Sequence, residues 1–416
     1  MTLRSPLDPV WPLSDGSAFN GRCAVAIPVK DETARLPACL TALAAQTDKV
    51  GAIASGSFHV FIFANNCSDG SAELARDWGS RLHLPLCVVE AFLPPERAHA
   101  GHARRAAMDL AETWFGKRGI KDGVILTTDA DSRVPPGWIA NNLAAIDAGA
   151  DAVLGRLALD EEGDLLPDAL HRRGWLEGSY EALLTELSAT IDPIKWNPWP
   201  HHATISGASL ALTIESYRRV GGLPRVPLGE DKALVAQLLH HDRKIRFDPA
   251  IQVITSGRVN GRAPGGVADT LRTRSVEPEA FCDEALEPFR IAIKRARSRR
   301  RLRSLRQPGV RSETERWAGI LRISRDDARL IAEADTFGRA WSIAEAGSSL
   351  LRRRMLTPAD LPSEIAGARR ALAHLRKYAL ASREHVDSKE LTPFLANDFC
   401  GGGDKIDEEF GGLVAA

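Results

Sequence analysis

The chain has 416 residues, which predicts one large domain with an appendage, or two domains. Lys plus Arg and Asp plus Glu number 54 each, so no global field draws the molecule to nucleic acid or anionic lipid. The six cysteines lack CxxC or Cys/His zinc spacing, and no apolar run reaches the roughly 18 residues of a spanning helix. The cysteines therefore read as ordinary thiols in a reducing compartment, a spanning helix is excluded, and a cytoplasmic protein is expected.

Residues 1–20, broken by prolines and acids, read as an N-terminal extension without a signal peptide. From Cys23, the apolar run CAVAIPV precedes polar KDETAR and helical LPACLTALAAQ, a strand, a loop and a helix. The pattern repeats in HVFIFAN and NCSDGSAELARDWGSRL, in LPLCVVEAF and HAGHARRAAMDLAETWFGKRG, and in GVILTTDADS and PPGWIANNLAAIDAG. These alternations predict an α/β, doubly wound, mostly parallel sheet with helices on both faces, whose ligand crevice lies beyond the carboxyl ends of the strands. A fifth strand, AVLGRLALD, leads into a Trp-rich segment, after which HATISGASLALT reads as strand, LGEDKALVAQLLHH as helix, and KIRFDPAIQVITSGR as a strand pair. Strand signals then fade, so a catalytic domain is expected over residues 21–275, a C-terminal helical region over 276–396 and a loose glycine-rich tail over 397–416.

Asp129-Ala130-Asp131 directly follows the apolar strand GVIL. Two carboxylates at a strand end suit a hard divalent cation, Mn or Mg, which in turn neutralises a diphosphate leaving group. Solvated loops also carry alternating acids, but a position inside a sheet-edge crevice favours the ligand reading.

With AIPVKDE, FANNCSDGS, GHARRAA, TTDADS, ISGASLALT with RRVGGLP, and GEDKALVAQL in this order, residues 21–275 resemble a family 2 glycosyltransferase with a GT-A fold. The resemblance implies a nucleotide-sugar site built from Pro28, Val29, Asp31, Glu32, Asn65, Asp69, Arg104, Asp129, Ala130, Asp131 and Gly207, with metal on Asp131 and Asp129. Asn65 stands where many members place aspartate; Asn65 and Asp69 read equally as turn and cap residues. Arg104 is preferred over Arg105 as a bidentate diphosphate partner at a helix start. Glu230 and Asp231 open a helix, where acids also favour the dipole; the family points to Asp231, ahead of Glu230, as the base that deprotonates an acceptor hydroxyl, and to inversion at the anomeric carbon. Trp196, Trp199, His201 and His202 offer aromatic and imidazole groups to an acceptor, or pack as core and turn residues. After the last core strand the family's metal-binding histidine is missing; Ser256, Arg258 and Arg262 instead resemble a subset whose basic residues close over the diphosphate.

The implied function is transfer of a sugar from a nucleotide-diphosphate donor to a hydroxyl of an unidentified acceptor. The alternatives are a sugar-1-phosphate nucleotidyltransferase, which lacks its glycine-rich basic loop here, and an inactive binding protein. Residues 290–306 hold nine Arg or Lys among seventeen, interleaved with Ile291, Ile293, Leu302 and Leu305. That helix reads as paired with acids of its own fold or as peripheral on an anionic membrane, with no nucleic acid partner expected; a homodimer is also admitted.

Overall fold

The computed structural model describes residues 21–53, 56–160, 167–258, 266–306 and 313–384. The expected extension over 1–20, the tail over 397–416 and Arg262 lie outside the described residues. The chain divides into two compact units, Met1–Ala368 and Arg369–Ala416.

In the first unit the four alternations are present: β1 (Cys23–Val29), α1 (Leu36–Ala44), β2 (Phe58–Asn65), α2 (Ser71–Arg81), β3 (Leu86–Ala91), α3 (Ala100–Lys117), β4 (Val124–Thr127) and α4 (Trp138–Asp147). They are followed by β5 (Ala152–Leu159), α5 (Asp168–Ile191), β6 (Leu210–Thr213), α6 (Ile214–Arg219), α7 (Glu230–His240) and β7 (Ile245–Thr255). The sheet has seven strands in the order β3-β2-β1-β4-β6-β5-β7. All neighbours run parallel except β6, which is antiparallel to both β4 and β5, so the fold is the α/β, GT-A type, mostly parallel sheet expected. The order reverses at β1, from which the chain builds outward to β2 and β3 on one side and to β4 on the other. Ligand crevices open at such a switch point.

Two apolar layers sandwich the sheet, as strands buried on both faces require. One joins Val25, Ile27, Leu40 and Leu126 to Trp138; the other joins Ala24, Phe61 and Ile125 to Met108, Phe115 and Leu234. The strand pair expected in KIRFDPAIQVITSGR is instead the single strand β7. Its ladder with β5 slips from Gly155↔Asp248 to Arg156↔Gln252, and Pro249, which has no N–H to donate, sits in the slip. The long HATISGASLALT strand shrinks to β6, because Gly207–Ser209 form a turn of 3-10 helix.

Helices α8 (Val267–Val276), α9 (Phe289–Leu305), α10 (Thr314–Ile320), α11 (Arg325–Glu333), α12 (Phe337–Gly347) and α13 (Leu361–Glu384) complete the described chain. Leu302, Leu305, Trp317, Ile331 and Ala344 share a separate apolar cluster. The start of α12 is seated on the end of α7: Thr336 Oγ1 donates to His240 O at 2.7 Å, and the Phe337 and Gly338 N–H groups donate to Asp242. A Cβ on Gly338 would lie 1.8 Å from Leu239 O, so only glycine allows this approach. The described part of the second unit, residues 369–384, is the later portion of α13.

Several guanidiniums of α9 bond groups of the same fold, although Arg290, Arg297 and Arg300 are exposed. Arg299 donates to Asp192 at 2.6 Å and to Ser188, Arg303 reaches the same Asp192 at 3.2 Å, and Arg300 donates to Ile191 O. Arg295 holds Glu287 with two bonds of 2.9 Å, and Arg301 pairs with Glu313. This is the intramolecular pairing that neutral overall charge permits, and it favours that reading over the membrane one. Among the described residues no helix is long and apolar enough to cross a membrane. Changing Arg299, Arg300 and Arg301 together to serine should leave the buried Asp192 poorly paired and lower stability by on the order of 3 kcal/mol. Urea unfolding measures it, and co-sedimentation with anionic vesicles at low salt should show no binding by the wild type.

Candidate active site

The carboxyl ends of β1, β2 and β4 and the starts of α3 and α7 bring most of the expected residues to one edge of the sheet. Asp129 and Asp131 follow β4, and the Thr128 N–H just past the strand still bonds Ala26 O on β1 at 3.3 Å. Each acid meets a guanidinium. Arg104 Nη2 donates to Asp129 Oδ1 at 2.6 Å, and Arg258 Nη2 lies 3.1 Å from Asp131 Oδ2. Arg258 also grips the buried Glu32 through bonds of 2.6 and 3.0 Å.

Arg104 is 6% exposed and all of its nitrogens meet protein acceptors. Besides Asp129, its Nε donates to Glu230 Oε1 at 3.0 Å, and its Nη1 donates to Thr127 Oγ1 and Gly207 O, both at 2.9 Å. A Cβ at Gly207 would fall 2.4 Å from the Arg104 guanidinium carbon, so glycine there makes room for the arginine. For Arg104, expected as a diphosphate partner, Nε, Nη1 and Nη2 each already meet a protein acceptor. Arg105 faces away, donating to Leu223 O and Gly221 O in the turn after α6.

Asp231 is fixed by backbone. Its Oδ2 accepts from the Gly207 N–H at 3.0 Å and its Oδ1 from the Lys232 N–H at 2.7 Å. Glu230, in contrast, is buried against Arg104, so its carboxylate is committed to the ion cluster.

Asp31, at φ 51, accepts from Ser68 N at 2.7 Å and pairs with Lys30. Asp69 accepts from Thr33 N and Oγ1 and from Ser71 N and Oγ. Its slight burial opposes ionisation, but these four bonds outweigh it and hold the carboxyl at about 2. Asp31, Cys67 and Asp69 place ligand atoms within 4.8 Å of one another. Protein donors already serve both carboxylates and the thiol is pushed upward, chiefly by burial, so the group reads as loop architecture. Asn65 donates to Arg97 O and His99 O, whereas its buried Oδ1 and the buried Thr128 Oγ1 lack protein partners. Orphan acceptors at a ligand crevice await a donor from outside the protein.

The acceptor set divides. Trp196 and Trp199 are 40% and 46% exposed. His202 is buried with both ring nitrogens on backbone, Leu154 O and Thr204 N, and burial holds it neutral at about 4. His201 engages the His202 carbonyl at 3.0 Å. A separate cavity of about 370 Å³ lies by α7, lined by Lys232, Thr270, Thr273, Arg274, Phe281 and Glu284 among others. None of these six belongs to the expected acceptor set.

The donor set fits a divalent cation. Oxygen acids suit Mg or Mn, and Asp131 is pushed up to about 6 by burial and by repulsion from Asp129, with Arg258 opposing. The two acids thus retain a shortage of positive charge that a cation would relieve.

The model of glycosyl transferase family 2 matches residues 24–200. Over that segment the chain is similar to glycosyl transferase family 2. As an enzyme the protein is accordingly a glycosyltransferase. The matched segment holds Asp31, Glu32, Asn65, Arg104, Asp129 and Asp131, whereas Gly207, Glu230, Asp231 and Arg258 lie beyond it. Among solved structures the chain is similar to S. aureus TarS 1–349 in complex with UDP, at 14% identity, 78% of this chain, 90% of that one and a TM-score of 0.41. It is also similar to the mannosyltransferase PcManGT from Pyrobaculum calidifontis in complex with GDP-Man and Mn2+, at 16% identity, 82% of this chain, 91% of that one and a TM-score of 0.39. No curated protein sequence matches.

Proposed function

We propose that this glycosyltransferase moves a sugar from a nucleotide-diphosphate donor to an acceptor hydroxyl, with divalent-metal assistance and inversion at the anomeric carbon. The observation that carries the reading is the junction at Gly207: its N–H holds Asp231 and its carbonyl accepts from Arg104, which holds Asp129.

Asp129 and Asp131 would hold the cation, which when bound supplies positive charge to the leaving diphosphate. Asn65 Oδ1, an acceptor without a protein donor, is suited to an N–H on the edge of uracil or guanine. Asp231, oriented by two backbone N–H groups, takes the proton of the acceptor hydroxyl as the nucleophile attacks. Trp196 and Trp199 present aromatic faces to a sugar-like acceptor. Ser256 and Arg258 close the donor side, where Ser256 Oγ accepts from Arg258 N at 3.2 Å. The protein is read as cytoplasmic, consistent with five free, buried cysteines among the described residues.

Thermal-shift titration with UDP- and GDP-sugars, with and without Mn or Mg, tests the proposal: a metal-dependent rise in melting temperature with one nucleotide supports it, and no rise with any overturns it. The same titration should weaken as pH falls through about 6, because protons then compete for Asp131. The unliganded protein should show the opposite trend from this group. A carboxyl raised by folding contributes stability while protonated, and that contribution is lost as pH rises through about 6.

A further inference from the structure

Glu230 is separated from Arg104 by 126 positions, yet meets it at 3.0 Å with a side chain only 10% exposed. A buried acid of this kind is expensive unless its charge is used. Here one guanidinium serves two acids, Glu230 through Nε and Asp129 through Nη2. Whatever draws Arg104 toward Glu230 weakens its hold on Asp129, and the reverse.

We infer that Glu230 is a positioning residue that sets the cation affinity of the donor site by competing with Asp129 for Arg104, and that it couples this site to Asp231 through Gly207. The inference rests on the glycosyltransferase reading above and assigns Glu230 a role different from proton transfer. Four observations carry it. Glu230 opens the helix whose next residue is Asp231. Arg104 Nη1 fixes the Gly207 carbonyl while the same residue's N–H fixes Asp231. Gly101, at the start of α3, has room for no Cβ, which would lie 2.6 Å from Val226 O and 3.4 Å from Glu230 Cβ, so the two helix starts are pressed together. Thr127 Oγ1 supplies the remaining acceptor, which keeps the guanidinium centred between the acids. When a cation occupies Asp129, Arg104 retains a full counter-charge in Glu230 and does not have to leave the site.

The test is Mn2+ binding, read by electron paramagnetic resonance of free Mn2+ in the presence of UDP or GDP, on the full chain. Glu230→Gln keeps shape and removes charge. Arg104 then holds Asp129 alone, and Mn2+ affinity should fall by about tenfold, a usual scale for coupling between sites. Glu230→Asp keeps charge and removes a methylene, and should stay within about threefold of wild type. A role confined to packing predicts the reverse ranking, because the shorter side chain leaves the larger gap. Equal affinity in Glu230→Gln and wild type, or a greater loss in Glu230→Asp, overturns the inference while the proposed function stands. If Glu230→Gln does not fold, Glu230→Asp decides alone: affinity within about threefold supports the inference and a larger loss overturns it. Absence of nucleotide-dependent Mn2+ binding in the wild type overturns the proposed function, and the inference falls with it.

Discussion

Asp131→Ala should abolish metal-dependent binding of nucleoside diphosphate. The carboxylate sits 3.1 Å from Arg258, which is itself held by Glu32. Its removal frees that arginine to pair with Glu32 alone and leaves Asp129 as the single acid of the motif. A diphosphate then lacks the cation bridge that offsets its charge. Calorimetric titration of UDP and GDP, with and without manganese, measures the effect. Affinity equal to wild type in the presence of manganese would remove Asp131 from the site.

Asp231→Asn should leave donor binding intact and lower transfer by a factor of roughly 100 or more, the scale expected when a general base is lost. An amide retains an oxygen to accept from the Gly207 N–H, so the local geometry survives while the capacity to take a proton does not. Steady-state rates against donor concentration separate the two: kcat falls and the donor KM holds. A variant with near wild-type rates would shift the proton elsewhere.

The sheet was legible because its strands are short apolar runs separated by amphipathic helices. The acids at their ends were legible because a strand end fixes where a side chain can go. The geometry of Arg104 was not. Its partners lie 23, 25, 103 and 126 positions away, and no local pattern records that one guanidinium reaches all four. Gly207 carried a trace of it, as a glycine beside a strand marks close approach of another group. Asp69 was readable only as two alternatives, because a cap and a ligand use the same acid; the four bonds from Thr33 and Ser71 describe the first. His202 was readable only as two alternatives for a related reason: imidazole serves an acceptor or the backbone equally well, and here both nitrogens lie on the backbone of Leu154 and Thr204. In β7, the apolar residues suit either one strand or two, and Pro249 reads as a break, whereas a slip in register absorbs it.

The seat of α12 on the far end of α7 gives the C-terminal helices a mechanical bearing on the chemistry. An 11-residue helix is a stiff rod of about 16 Å. Its first turn carries Glu230 and Asp231, while its last residues are clamped by Thr336, by Asp242 and by a glycine contact that tolerates no added atom. A rod held at one end transmits tilt to the other, so the register of Asp231 against Gly207 is referenced to the appendage as well as to the sheet. A chain shortened to residues 21–275 would keep every acid of the motif and lose one of the two bearings that hold Asp231.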